Sequence, residues 1–373
     1  MAINLENAVN YHYDKFPPRS LDYARLIKPL TRATEALSRY DQMLKNLHNS
    51  EILLASLRSQ EAVITSRMEG TISTLDEVLQ YDAQLEEGVS QTSNARNEVV
   101  ETYLYQRSLG KTQQALTQGM PLNPFLLRQA HQILLSFGRG VNKNPGEFKT
   151  EQNFLADEFK KNVLFTPIAP EHLAQGLDDL FDYIDKDENL PLIKIAIAHI
   201  EFEALHPFKD GNGRIGRMLV TLMLWSFGLI GSPYFYISHY FEENKDLYIN
   251  TMRNVSENDN WDDWCIFFFN AVEEQANRNL LVAEEITELY ENMKIEFEEI
   301  LSSKWSMRVQ DFIFANPVFQ NNRLAKKTGI SSQNSNRFAK MLLNKGLIRV
   351  VIPAAGRRSA MYAFEPLLKL VRA

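Results

Sequence analysis

The sequence predicts a mainly α-helical protein, with one small β-hairpin in its middle and a winged helix at its C-terminal end. Three observations carry this. Apolar residues recur at spacings of three and four over most of the first 300 positions, the signature of amphipathic helices. QNFLADEFKKNVLFTP, residues 152–167, interrupts them with two short apolar runs around a charged turn, which reads as a hairpin. Residues 301–373 then change both style and charge. At 373 residues the chain exceeds one ordinary domain, and two or three are expected.

Taken in order, LIKPLTRATEALSRYDQMLKNL and SEILLASLRSQEAVITSRMEG predict two amphipathic helices, the second stopped by Gly70 just past its end. Thr74 opens another helix, and Glu77 three residues on completes a capping box. SNARNEVVETYLYQRSL and NPFLLRQAHQILLSF continue the helical pattern, and Gly, Asn and Pro cluster at a break in GRGVNKNPGEFKTEQNF. The hairpin follows and Pro167 ends it. LPLIKIAIAHIEFEAL is a strongly apolar helix. RIGRMLVTLMLWSFG is apolar nearly all round, so it should be a buried central helix ending at Gly228. NNRLAKKTGISSQNSNRFAKMLLNKGLI reads as helix, Gly-containing turn and helix, the second carrying Arg337 and Lys340. RVVIPAAGRRSAMYAF reads as two strands with AAGRRS at the tip, which completes the winged helix.

Composition narrows the function classes. Hydrophobic residues make up 45% and charged residues 23%, as in soluble globular proteins. No apolar run reaches membrane-spanning length, and the first residues lack the basic-then-apolar order of a secretory signal. Cys265 is the only cysteine, which excludes an internal disulfide; its neighbours in WCIFFF predict a buried, inert thiol. A cytoplasmic protein with no membrane partner is expected. Residues 301–373 hold 13 Lys plus Arg against Asp311 and Glu365, a net of +11, so the first 300 residues carry −18 of the overall −7. A basic module joined to an acidic body points to nucleic acid as a partner of residues 301–373, or to docking on proteins, including a second copy of the chain in a homodimer.

The chemistry concentrates in HPFKDGNGRIGR, residues 206–217. If Pro207 ends one helix and RIGRMLV begins the next, the loop amides of Gly211, Asn212 and Gly213 point out at a helix N-terminus, where unpaired N–H groups and the helix dipole bind anions. Glycine tolerates the positive φ such a turn needs and lets phosphate oxygens approach. Arg214 and Arg217 share a helix face and add bidentate donors for phosphates. Asp210 makes sense as a ligand for Mg²⁺ carried in by those phosphates, and His206 as a proton acceptor near neutral pH. His199, Glu203 and His206 lie at i, i+4 and i+7 and suggest zinc, but HExxH order is missing and a Gly/Arg loop serves no zinc ion. His199 reads better as a packed, hydrogen-bonded helix residue.

The pattern H-P-F-x-D-G-N-G-R-x-x-R resembles the defining motif of the Fic (Fic/Doc) family at every fixed position, and the resemblance extends over roughly residues 95–275. It implies a Fic-type helical bundle with the hairpin as its flap, an open strand edge of which would hold a target segment by β-addition. It implies a nucleotidyltransferase that moves AMP from ATP to a Ser, Thr or Tyr hydroxyl of a protein (AMPylation), itself included. His206 would deprotonate the hydroxyl, Asp210 would hold Mg²⁺, and Asn212 with the loop amides would steady the α-phosphate. Arg214 and Arg217 would take the β- and γ-phosphates within the cradle Gly211, Asn212, Gly213, Arg214, Ile215, Gly216 and Arg217. Phe208 would anchor the loop and Tyr248 would face the nucleotide.

A second motif bears on regulation. Glu69 in TSRMEG sits at a helix C-terminus, where a carboxylate opposes the dipole. T-x-x-x-E-G resembles the family's inhibitory motif, which implies that Thr65, Glu69 and Gly70 restrain the reaction, with Glu69 taking Arg217 in place of the γ-phosphate. The same carboxylate leaves de-AMPylation open, and a DNA-binding regulator acting through the basic winged helix is the non-catalytic alternative. The expected division is an N-terminal helical region over 1–94, a Fic core over 95–290 and the winged helix over 300–373.

Overall fold

The computed structural model describes residues 5–6, 8–47, 50–85, 95–156, 162–356 and 358–372. In chain order its elements begin with β1 (Val9–Asn10), α1 (Tyr23–Asn46), α2 (Ser50–Met68), α3 (Leu75–Leu85), α4 (Asn97–Thr117) and α5 (Pro124–Leu134). β2 (Leu155–Ala156) and β3 (Val163–Thr166) follow, then α6 (Pro170–Lys186), α7 (Pro191–Leu205), α8 (Asn212–Ser226), α9 (Ser238–Glu243) and α10 (Lys245–Asn258). The order closes with α11 (Trp261–Leu301), α12 (Ser306–Ala315), β4 (Val318–Gln320), α13 (Asn321–Thr328), α14 (Ser332–Asn344), β5 (Ile348–Ile352), β6 (Met361–Phe364) and α15 (Glu365–Val371). The fold is mainly helical, as the periodicity predicts. Residues 1–41 and 104–277 form one compact unit, and residues 42–103 and 278–373 form the other.

In the first unit α7 is buried on all sides from Leu192 to Phe202, which explains its continuous apolar run. Close approach needs small residues: a Cβ on Gly176 of α6 would lie 2.6 Å from Leu205 Cδ2, and one on Gly216 of α8 would lie 2.2 Å from Glu203 Oε1. Trp264 of α11 donates its indole N–H to Ala196 O at 2.7 Å, pinning α11 to α7. Cys265 beside it is buried, and burial pushes its thiol up, so it stays unreactive. α1 runs alongside α11 in the same direction. Arg25 pairs with Asp263, Arg32 with Asn270 and Arg39 with Asn277, a constant offset at seven-residue spacing. α8 ends at Gly228, whose φ of +71° lets Leu229 N–H cap Leu224 O.

The predicted hairpin is present, with Leu155 opposite Phe165 and Ala156 opposite Val163; its charged turn, 157–161, lies outside the described residues. On its β3 side the hairpin is covered, because β1 pairs with it in parallel, Val9 opposite Phe165 and Asn10 opposite Thr166. In the order β1-β3-β2 the hairpin's other strand, β2, lies at an edge of the sheet. The N-terminal segment that supplies β1 is held by polar burial. Tyr11 and His12 both donate or bond to the Glu201 carboxylate at 2.7 and 2.8 Å, and His12 Nδ1 meets Ser256 Oγ at 2.7 Å.

In the second unit Gly70 has φ +78° and closes α2. The capping box forms as predicted: Thr74 N–H donates to Glu77 Oε2 at 2.8 Å and Glu77 N–H to Thr74 Oγ1 at 3.3 Å. α13 and α14 flank Gly329, whose φ is +72°, and β5 and β6 form the C-terminal hairpin. β4, which like α12 was not foreseen from periodicity, completes an antiparallel sheet of order β4-β6-β5. Thr74→Ala is expected to cost about 1 kcal/mol of stability, read by chemical denaturation, since it strips an N-cap from α3.

Candidate active site

The loop from His206 to Gly211 joins α7 to α8. His206 caps α7 in the left-handed region, φ 45° and ψ 59°, with its N–H still donating to Phe202 O. That conformation costs a non-glycine residue energy and persists only where the surroundings over-determine it. Here they do so by taking the loop's carbonyls. Leu205 O accepts from Lys149 Nζ at 3.0 Å and Pro207 O from Lys149 N–H at 2.8 Å. Asn153 Nδ2 donates to both His206 O and Phe208 O at 3.0 Å, and Asp210 O meets His131 Nε2 at 2.9 Å. With these carbonyls bonded to Lys149, Asn153 and His131, the loop is fixed from outside.

Asn212 closes the turn upon itself. Its Oδ1 accepts from Phe208 N–H and its Nδ2 donates to Phe208 O, both at 2.8 Å. Phe208 is fully buried and stacks on the His131 ring, centroids 3.8 Å apart and planes 8° from parallel. Gly146 N–H donates to His131 Nδ1, so the proton sits on Nε2, facing Asp210 O. Burial, against which the Asp210 hydrogen bond acts, pushes His131 down to about 4. Gly211 takes φ +80°, where a Cβ would also crowd Leu134 at 3.3 Å.

α8 therefore starts at Asn212 with three N–H groups, those of Asn212, Gly213 and Arg214, ahead of its first helical bond, Ile215 N–H to Gly211 O. Arg214 and Arg217 are 4% and 3% exposed, so their charge is weakly screened. Arg214 Nε is buried and makes no hydrogen bond among the described residues, and Arg214 Nη2 lies 3.6 Å from Asp210 Oδ1. Buried donors facing a helix N-terminus form a polyanion cradle.

A family model described as Fic/DOC family matches residues 121–224, and one described as Fic/DOC family N-terminal matches residues 27–114. The chain belongs to the Fic/DOC family. Protein adenylyltransferase fic-1 of Caenorhabditis briggsae is 32% identical over 115 residues, 28% of this chain and 21% of that protein. A probable protein adenylyltransferase of Aquifex aeolicus is 22% identical over 189 residues, 50% of this chain and 53% of that protein. A Fic family protein from Desulfovibrio desulfuricans of known structure has a TM-score of 0.57 at 18% identity, covering 93% of this chain and 98% of that one, which shows a common fold. The chain spans from 21% to 53% of the length of these two curated relatives.

Within this Fic core the motif residues His206, Asp210, Gly211, Asn212, Gly213, Arg214, Ile215, Gly216 and Arg217 all lie on one loop and the first turns of α8. Two expectations change. Gly211 N–H is taken by Asp210 Oδ1 at 2.6 Å, so Arg214 N–H stands in its place among the outward amides. The Asn212 carboxamide is engaged by Phe208, which leaves its backbone N–H for an anion. Tyr248 is buried, with its hydroxyl 2.9 Å from His199 Nε2. His199 Nδ1 lies 3.2 Å from Gly216 O, and burial together with Arg217 pushes His199 down to about 3. Thr65, Glu69 and Gly70 belong to the second unit, at the C-terminal end of α2, with Thr65 buried and Glu69 exposed.

Mg²⁺ fits the donor set. Asp210 is a hard oxygen ligand with its side chain 40% exposed, and its second carboxylate oxygen makes no hydrogen bond to the described residues. Among the described residues no group of three or more His, Cys, Asp or Glu could form a closed metal cage, so the remaining ligands would be phosphate and water. Sequence reasoning missed His131, Lys149 and Asn153; a lysine and an asparagine in a Gly/Pro-rich connection carry no local sign that they will be buried against a loop 50 residues on.

Two predictions follow from this geometry. Asn212→Ala strands the Phe208 N–H, whose carbonyl keeps Asn153, and should lower stability by about 2 kcal/mol in chemical denaturation. His199 is held neutral, so its contribution is complete above its unfolded value near 6.5 and is lost as pH falls towards 3. Thermal unfolding should show about 2 kcal/mol more loss between pH 7.5 and pH 5 for the unmodified chain than for His199→Gln.

Proposed function

We propose that the chain is a protein adenylyltransferase that transfers AMP from ATP to a hydroxyl side chain of a protein. The observation that supports it most is the paired binding of Asn212 and Phe208, which sets a partly exposed His206 and an anion-facing helix start on one rigid turn. ATP phosphates lie against the N–H groups of Asn212, Gly213 and Arg214, and the arginines take the β- and γ-phosphates. An apolar pocket of about 130 Å³, lined by Leu155, Leu164, Ile200, Glu203, Met252 and Arg253, lies one turn from His206 and suits the adenine ring. A larger polar cleft of about 630 Å³, lined by residues of the 143–156 segment and by Lys209, leads to the motif and receives the target.

His206 accepts the proton of the target hydroxyl as its oxygen forms the bond to the α-phosphorus. The bond from that phosphorus to the bridging oxygen breaks, and pyrophosphate leaves on Arg214 and Arg217. Mg²⁺, held by Asp210 and the phosphates, supplies charge compensation when bound. The names of the relatives, protein adenylyltransferases, support the same reading. Autoinhibition is its finer part. It rests on T-x-x-x-E-G at the end of α2, with Glu69 as the restraining carboxylate.

Incubation with labelled ATP and cell lysate tests the whole reading. Glu69→Gly should raise incorporation of label at least tenfold, and His206→Ala should reduce it to background. Equal incorporation by the two variants would sink the assignment. A target mass shift other than that of AMP would move it to transfer of another phosphate-linked group.

A further inference from the structure

The second unit carries a surface that the transfer reaction does not use. Between Asp311 and Glu365 the sequence contains nine Lys and Arg and no Asp or Glu. The structure sorts these cations by side. Arg349 and Arg372 share the carboxylates of Glu365 and Asp76, and Arg323 lies 3.8 Å from Asp82. These charges are compensated within the unit. By contrast, Lys326, Arg337, Lys340, Lys345 and Arg358 are exposed and make no ion pair among the described residues.

The uncompensated set has a shape. α14 buries Ser335, Phe338, Ala339 and Leu342 and exposes Ser332, Gln333, Asn336, Arg337, Lys340 and Asn344. At 3.6 residues per turn these six span an arc of about 140°, a single face of hydrogen-bonding and cationic side chains with no carboxylate. Ser331 caps the helix by accepting Asn334 N–H at 3.2 Å, so its N-terminal end is formed in advance. Lys345 follows α14, and Arg358 stands at the tip of the β5–β6 hairpin, where it bridges to Ala355.

We infer that α13, α14 and the β5–β6 hairpin are a winged-helix module that binds duplex DNA, with α14 in the major groove and the hairpin tip on the backbone beside it. A helix of about 10–12 Å diameter fits a groove about 12 Å wide. Gln333 and Arg337 are side-chain types that read base edges, while the Asn336 amide oxygen accepts from Asn321 Nδ2, and Lys326, Lys340, Lys345 and Arg358 contact phosphates. Charge complementarity selects this partner, since a face without a carboxylate repels no phosphate along its whole length. The inference stands apart from AMP transfer.

The test is fluorescence anisotropy of the full chain with a labelled mixed-sequence duplex of about 25 base pairs, long enough for several phosphate contacts. With about five phosphates neutralised, affinity should fall roughly 500-fold between about 50 mM and 200 mM salt. Arg337→Ala/Lys340→Ala should weaken binding at least tenfold and reduce the salt slope by about 2. Lys345→Ala/Arg358→Ala should do the same independently, and Lys294→Ala should change nothing. All of these variants should incorporate AMP as the unmodified chain does, which separates this result from the fate of the transferase reading. No binding at about 50 mM salt, or binding by either double variant as tight as that of the unmodified chain, overturns the inference. Binding of poly-glutamate in place of the duplex also overturns it and marks the face as a protein-docking surface.

Discussion

The structure depends most on the way the carbonyls of one loop are consumed. Five of them, from Leu205, His206, Pro207, Phe208 and Asp210, accept hydrogen bonds from His131, Lys149, Asn153 and Asn212. The segment 206–213, with glycines at 211 and 213, would otherwise sample many conformations, each glycine adding freedom. Bonding its carbonyls fixes the loop, and α8 then begins with the N–H groups of Asn212, Gly213 and Arg214. The resulting positive potential is built from fixed dipoles, so no reorganisation is needed when an anion arrives. His206 in the left-handed region belongs to the same arrangement: its strain is held by a carbonyl that Asn153 will not release cheaply.

The ionisable groups around this loop divide by role. His131 and His199 are pushed down to about 4 and about 3, and Lys149 to about 7, in each case first by burial. The two histidines are neutral at working pH and serve as hydrogen-bonding parts of the frame. Fixed positive charge is thereby left to Arg214 and Arg217, which are nearly fully buried. Neutral framing groups keep the total charge of the cradle from exceeding what a polyphosphate can balance.

What could be read from the sequence was what is local. Helix periods, the glycine stops at Gly70 and Gly228, the Thr74–Glu77 box and the motif loop each lie within a few residues of chain and appear where expected. The supports of the loop were hidden because they act across 50 to 80 residues: Lys149 to Leu205 is a separation of 56, and His131 to Asp210 is 79. β1 was hidden for another reason. Two residues have no periodicity, and Val9–Asn10 forms a strand only because β3 supplies the partner. The seven-residue spacing of Arg25, Arg32 and Arg39 says nothing of their partners on α11, which lie 238 residues away.

The two units present their cations by opposite physical means. In the first, Arg214 and Arg217 are withdrawn from water and the amides are locked, so the attraction is strong, short-ranged and little screened, as suits one small polyanion whose position must be set to fractions of an ångström. In the second, the cations of α14 and the hairpin stand in solvent on long flexible stems, where single contacts are weak and salt screens them. Such charges gain only by number, along a ligand that repeats its phosphates over tens of ångströms. Burial of the cations, more than their count, therefore distinguishes a nucleotide site from a polymer-binding surface in this chain.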